Sequence, residues 1–163
     1  MNTNSEQTAN LYVDAYFRHS IDIDLDSRSI TVMAQLLFRN LSQAQLADPH
    51  IVLHINSPHA SLSGKILSPE LIRTFGVYTK GGQPNGWAFI DSDWFKNART
   101  TGEYRIKSIE PLILKPGVWQ EMKDWTVECS LDHLQEPLII QGWIEVDQRR
   151  FAAINSISIT CSM

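Results

Sequence analysis

With 163 residues, 43% of them hydrophobic, the chain can bury one core without disulfide or metal staples, and it is short for two domains. Its 14 basic and 18 acidic residues give a formal charge of −4; these charges are spread along the chain, which argues against nucleic acid as the main partner, because phosphate binding relies on clustered Lys and Arg. No stretch approaches the roughly 20 apolar residues of a membrane-spanning helix, so no membrane partner is expected.

In chain order, the opening MNTNSEQTAN is polar and has neither the basic start nor the apolar run of a secretory signal. Residues 1–9 are expected to form a disordered tail ahead of one domain over residues 10–163, and the expected location is the cytoplasm. In SIDIDLD, Ile21, Ile23 and Leu25 alternate with Asp22, Asp24 and Asp26; a period of two gives a strand with one apolar and one acidic face. The acidic face also protects a strand edge from unwanted pairing. Turn residues from Asp26 to Ser29 lead into SITVMAQLLFRN, with Ile30, Val32, Ala34, Leu36 and Phe38 on one face, and the two runs read as a β-hairpin. Next comes PHIVLHINSP, with Ile51, Leu53 and Ile55 pointing one way and His50, Val52 and His54 the other, bounded by Pro49 and Pro58.

The rhythm then changes. Ser68 is placed to cap a short helix with Pro69 at its first position and Gly76 at its end. Asp91 or Ser92 is placed to cap a second helix that Gly102 closes. Between them, Gly81, Gly82, Pro84, Asn85 and Gly86 make a turn-rich connection. The block over about residues 61–107 therefore reads as an insertion carrying two short helices.

Strand patterns resume in EYRIKSI and PLILKPG. WTVECSL follows, with Trp125, Val127, Cys129 and Leu131 on one face, and then PLIIQGWIEVD, with Leu138, Ile140, Ile144 and Val146 inward and Gln141, Trp143 and Glu145 outward. The last run is NSISITCSM. Cys129 and Cys161, the only cysteines, fall on inward faces. Buried reduced thiols are expected, and a core disulfide is the alternative if the chain is exported. Seven or eight short strands with little helix outside the insertion predict an all-β, antiparallel β-sandwich of immunoglobulin-like type.

A strand ending in FRNLS, then PHIVLHI, a KPG turn leading into DWTVECSL, GWIEVD, and a last strand opened by IN together resemble the bacterial immunoglobulin-like modules known as CARDB. The resemblance covers about residues 20–60 and 109–161, and the long 61–107 block departs from it. It implies adhesion or protein contact without catalysis, and it supplies no site residues.

The motifs of common chemistries are missing. His50 and His54 on a strand lie roughly 13 Å apart at about 3.3 Å per residue, too far to share a zinc ion whose nitrogen ligands sit at about 2.0–2.1 Å. Asp22, Asp24 and Asp26 open like a calcium loop, but Ser27 and Met33 stand where that loop requires Gly and Glu. There is no nucleophile elbow, activated cysteine or phosphate-binding glycine loop. No metal, cofactor or enzymatic activity is expected. An unrecognised hydrolase would have to gather Asp91, Asp93, His59 and Glu103 in one pocket. The remaining signal is the aromatic block around Gly81–Phe95 together with an outward tryptophan, and Trp87, Asp91, Asp93, Trp94 and Trp143 are the candidate binding residues. The expectation is a non-catalytic interaction module or accessory subunit that binds a protein partner or self-associates, with the 61–107 block as its recognition surface. The alternative is a sandwich that binds carbohydrate or another small ligand on exposed tryptophans.

Overall fold

The structure, a computed structural model, describes residues 11–75 and 86–161. The expected tail over residues 1–9, the helix stop at Gly76 and the turn at Gly81, Gly82, Pro84 and Asn85 therefore lie outside the described residues.

The first described elements form the expected hairpin. β1 (Val13–Asp24) pairs antiparallel with β2 (Ser29–Asn40), Ile23 opposite Ile30 and Val13 opposite Asn40. The turn forms because Asp24 Oδ1 accepts the backbone N–H groups of Asp26 (2.9 Å) and Ser27 (3.2 Å), an Asx turn of the kind these short polar residues favour. Then follow β3 (Leu46–Ala47), β4 (His50–Ile55), β5 (Ser61–Gly64), β6 (Ile66–Leu67), helix α1 (Pro69–Phe75), β7 (Trp87–Phe89) and helix α2 (Trp94–Thr101). The rest is β8 (Glu103–Ser108), β9 (Ile113–Leu114), β10 (Trp119–Ser130), a 3-10 turn at Leu131–His133, β11 (Leu138–Val146), β12 (Arg149–Ala152) and β13 (Ile157–Ile159). The described residues are thus mostly β with two short helices, as expected. The thirteen described strands exceed the seven or eight predicted, because strands of two to four residues are too short to show a period.

One sheet has the order β1-β2-β10-β5, and a larger one runs β12-β11-β4-β8-β7-β6, with β13 also on β11. Neighbours are antiparallel except β6 and β7, which are parallel. The 61–107 block is woven into both sheets: β5 pairs with β10, while β6, β7 and β8 extend the larger sheet.

The inward faces of the two sheets share one hydrophobic core containing Phe38, Leu36, Leu53, Ile106, Trp125 and Ile140, each essentially without solvent exposure. The sheets approach tightly where Phe17 of β1 meets Gly142 of β11: a Cβ at Gly142 would lie 2.6 Å from the Phe17 ring. Trp125 follows a bulge between Met122 and Trp125 and donates its indole N–H to the Met122 carbonyl at 3.0 Å, so a large buried ring keeps its polar atom satisfied. Gly64, at φ +117°, lies against this bulge, where a Cβ would collide with the Asp124 carbonyl oxygen. At the other end, fully buried Asn40 donates to the carbonyls of Ala44 (2.6 Å) and Leu114 (3.0 Å), while the Ser42 N–H and hydroxyl both donate to its Oδ1. One side chain thereby ties β2 to the loop that follows it and to β9.

The exposure of β1 differs from the expectation. Its first half is inward and buried at Val13, Ala15 and Phe17, but Ile21 is 42%, Ile23 55% and Leu25 72% exposed. Their partners Val32 and Ile30 on β2 remain buried. The alternating run does form a strand; that strand, however, runs past the cover of the opposing sheet.

Candidate functional site

The aromatic block forms an inward anchor. Trp94, in the first turn of α2, stacks on Phe89 of β7 with ring centres 3.8 Å apart and planes 5° from parallel. Trp87 meets Phe38 of the other sheet edge-on at 6.2 Å, and both tryptophans are half-buried against the core. Asp91 and Asp93 are exposed. The cap of α2 is Asp93, not Asp91 or Ser92 as expected, and its carboxylate makes no capping hydrogen bond. Its backbone, at φ −90° and ψ 22°, lacks the extended geometry from which a cap side chain reaches the first-turn N–H groups. Gly102 does close the helix, at φ +77° with its N–H donated to the Ala98 carbonyl at 2.7 Å.

A cleft of about 480 Å³ lies between α2 and the segment after β4, lined among others by Trp94, His54, His59, Arg99 and Tyr104. Burial pushes the Tyr104 hydroxyl pKa up against the opposing charge of Arg99. The His59 ring stacks on His133 at 3.8 Å. The hydrolase constellation is not brought together: His59 lines the cleft, whereas Asp91, Asp93 and Glu103 do not, and Glu103 is in an ion pair with Arg150 at 3.5 Å. Among the described residues, no group of three or more His, Cys, Asp or Glu is placed to hold a metal ion.

Trp143 points to the outer face of the larger sheet, as the alternation predicts, and is half-buried there. The Arg150 guanidinium lies 5.6 Å from its ring centre. Arg150 also binds Glu145 at 3.1 Å, and Arg105 binds the same carboxylate at 2.8 Å. Burial pushes the Glu145 carboxyl up, but the hydrogen bonds from Arg150 and Arg105, together with their charges, outweigh it and hold the group below its usual pKa. Beneath this lattice Val52, opposite Trp143 and Arg105 in register, is fully buried although it points outward.

The surface that sequence reasoning missed is the far half of β1. β1 is an edge strand. In an antiparallel ladder, alternate residues turn their N–H and C=O toward the neighbour and the others turn them away. Tyr12 accepts from Leu41 on the β2 side, so the even-numbered residues face β2 and the odd-numbered ones face outward. For the first half, this outward edge is already used. The Ala15 carbonyl accepts the Ile154 N–H at 2.8 Å. The Asn155 side chain accepts from the Phe17 N–H (2.7 Å) and donates to its carbonyl (3.0 Å), standing in for a strand residue. Beyond Phe17, the outward groups of His19, Ile21 and Ile23 have no hydrogen-bond partner among the described residues, and the side chains there are exposed. The signal in the sequence was the length of the alternation, which continues to Leu25, farther than Phe17, where the buried part of the strand ends.

No family model matches the chain, and no curated protein does. Among solved structures, the chain is similar to that of a Bordetella pertussis protein assigned as ApaA, with 12% identity over 93% of each chain and a TM-score of 0.39.

Proposed function

We propose that this protein is a non-catalytic interaction module that accepts a β-strand on the open edge of β1 from His19 to Asp24. The observation that carries this reading is the division of one edge into two parts: Asn155 and Ile154 occupy the outward groups of Ala15 and Phe17, and the outward groups of His19, Ile21 and Ile23 are left open among the described residues, beside exposed Ile21 and Ile23. An edge with free N–H and C=O groups and apolar side chains is a template for strand addition. The recognition surface therefore moves from the aromatic block to β1, since Trp87 and Trp94 pack inward. Trp94 stacks one ring face on Phe89 and Arg150 lies over Trp143, which leaves less open ring for a sugar than the carbohydrate alternative requires.

The strand order supports an immunoglobulin-like framework. β1-β2-β10 and β12-β11-β4-β8 follow the A-B-E and G-F-C-C′ neighbours of that sandwich, with β5 in the D position although it precedes β8 in the chain. The two free thiols, Cys129 and Cys161, suit a reducing compartment such as the cytoplasm. The test compares tagged wild-type protein with Ile21→Lys in quantitative affinity capture from the native host. The reading expects proteins held by the wild type to be lost with Ile21→Lys; an unchanged set would contradict it.

A further inference from the structure

Resting on the reading that the β1 edge accepts a strand, we propose that the strand is the same stretch of a second copy, paired antiparallel across a two-fold axis at Ile21. Hydrogen-bond parity requires outward-facing residues to stand opposite one another. A two-fold at Ile21 sets Ile21 opposite its own counterpart and His19 opposite Ile23 in both directions, so every open N–H and C=O of the stretch is used. The pairing ends where it must. On one side Asn155 already holds Phe17, and on the other the chain leaves the sheet after Asp24 into the hairpin turn.

Charge agrees with this register. Arg18 falls opposite Asp24 of the second copy, and the reverse pair follows by symmetry; opposite charges directly across a ladder are favourable. Arg18 makes no ion pair among the described residues and lies 5.7 Å over the Tyr16 ring. Asp24 is exposed and holds its own turn through Oδ1, and its carboxylate faces the Arg18 cation across the ladder. Moving the axis to Asp22 would put two aspartates face to face, and moving it to Ser20 would send Ile23 against the occupied Phe17. The acidic residues thus discourage strands that bring no cation in register. On the inward side, Ile21 meets its own counterpart and each Ile23 lies across from His19 of the other copy, so exposed apolar surface of Ile21 and Ile23 is covered that neither copy covers alone.

A pairing of seven residues is shorter than the roughly 20–30 residues a side of a standard interface, so a weak, concentration-dependent dimer is expected. Sedimentation of the full chain over rising concentration should show a monomer–dimer equilibrium. Ile21→Lys, at an exposed position, should abolish it with the circular dichroism unchanged, and Arg18→Asp should weaken it at least ~10-fold. The register is read by oxidative cross-linking: Ile21→Cys should cross-link, while Ile23→Cys, roughly 13 Å from its counterpart, and Asp22→Cys should stay at the wild-type background. A wild type that stays monomeric to about 1 mM, a dimer indifferent to Ile21→Lys, or cross-linking through Asp22→Cys instead of Ile21→Cys would overturn the proposal. If the wild type is monomeric but Ile21→Lys still loses captured partners, self-pairing fails and strand docking stands. If nothing is lost, both fail.

Discussion

At residue scale, two side chains set the frame, and both were only half legible. Asn40 stands out in the sequence as the last residue of a strand, but its reach to Ala44, Leu114 and Ser42 joins segments 74 positions apart, and a linear pattern carries no sign of that. Because it holds the Leu114 carbonyl in the buried interior and the Ala44 carbonyl beside it, Asn40→Ala should cost about 2 kcal/mol. For a chain of this size, that lowers the melting temperature by roughly 4–8 °C; a loss under ~0.5 kcal/mol would show that water replaces the amide. The tryptophans were legible as either anchors or contacts, because composition does not give the direction of a ring. Stacking on Phe89 makes Trp94 an anchor, so Trp94→Ala should destabilise the fold by about 2–3 kcal/mol. A fold of unchanged stability would return the ring to the surface.

At the scale of elements, alternation identified β1, β2, β4, β10 and β11 and oriented Trp143 and Trp125 correctly, because a period of two over six or more residues is a strong physical signal. It did not find the short strands, nor that the 61–107 block joins both sheets, since pairing between distant segments leaves no local period. The lattice on the outer face of the larger sheet belongs to this scale: Glu145 on β11, Arg150 on β12, and Arg105 and Glu103 on β8. The folded state holds the Glu145 pKa below its unfolded value, so the stability it contributes is present above the unfolded carboxylate range and is lost as pH falls through the folded pKa. Removing the charge with Glu145→Gln should cost about 1 kcal/mol at neutral pH, because the group is partly exposed. It should also flatten the acid limb of the urea midpoint plotted against pH. A variant that loses stability on acidification as steeply as the wild type would contradict this account.

At the scale of the whole molecule, the central claim is that one edge of the smaller sheet is left unfinished between Phe17 and the hairpin turn. The sequence showed the strand and its acidic guard at Asp22 and Asp24. It could not show that the opposing sheet stops short of Ile21, because cover is a property of two sheets together. Amide exchange resolved residue by residue reads this directly. In dilute protein, the amides of His19, Ile21 and Ile23 should exchange at nearly unprotected rates. Those of Ser20 and Asp22, turned toward β2, and that of Phe17, held by Asn155, should be slowed at least ~10-fold. As concentration rises, His19, Ile21 and Ile23 should gain protection while Ser20 and Asp22 stay as they were. Uniform protection from Phe17 to Ile23 at every concentration would mean that the edge is already closed within the chain, and the account would be wrong.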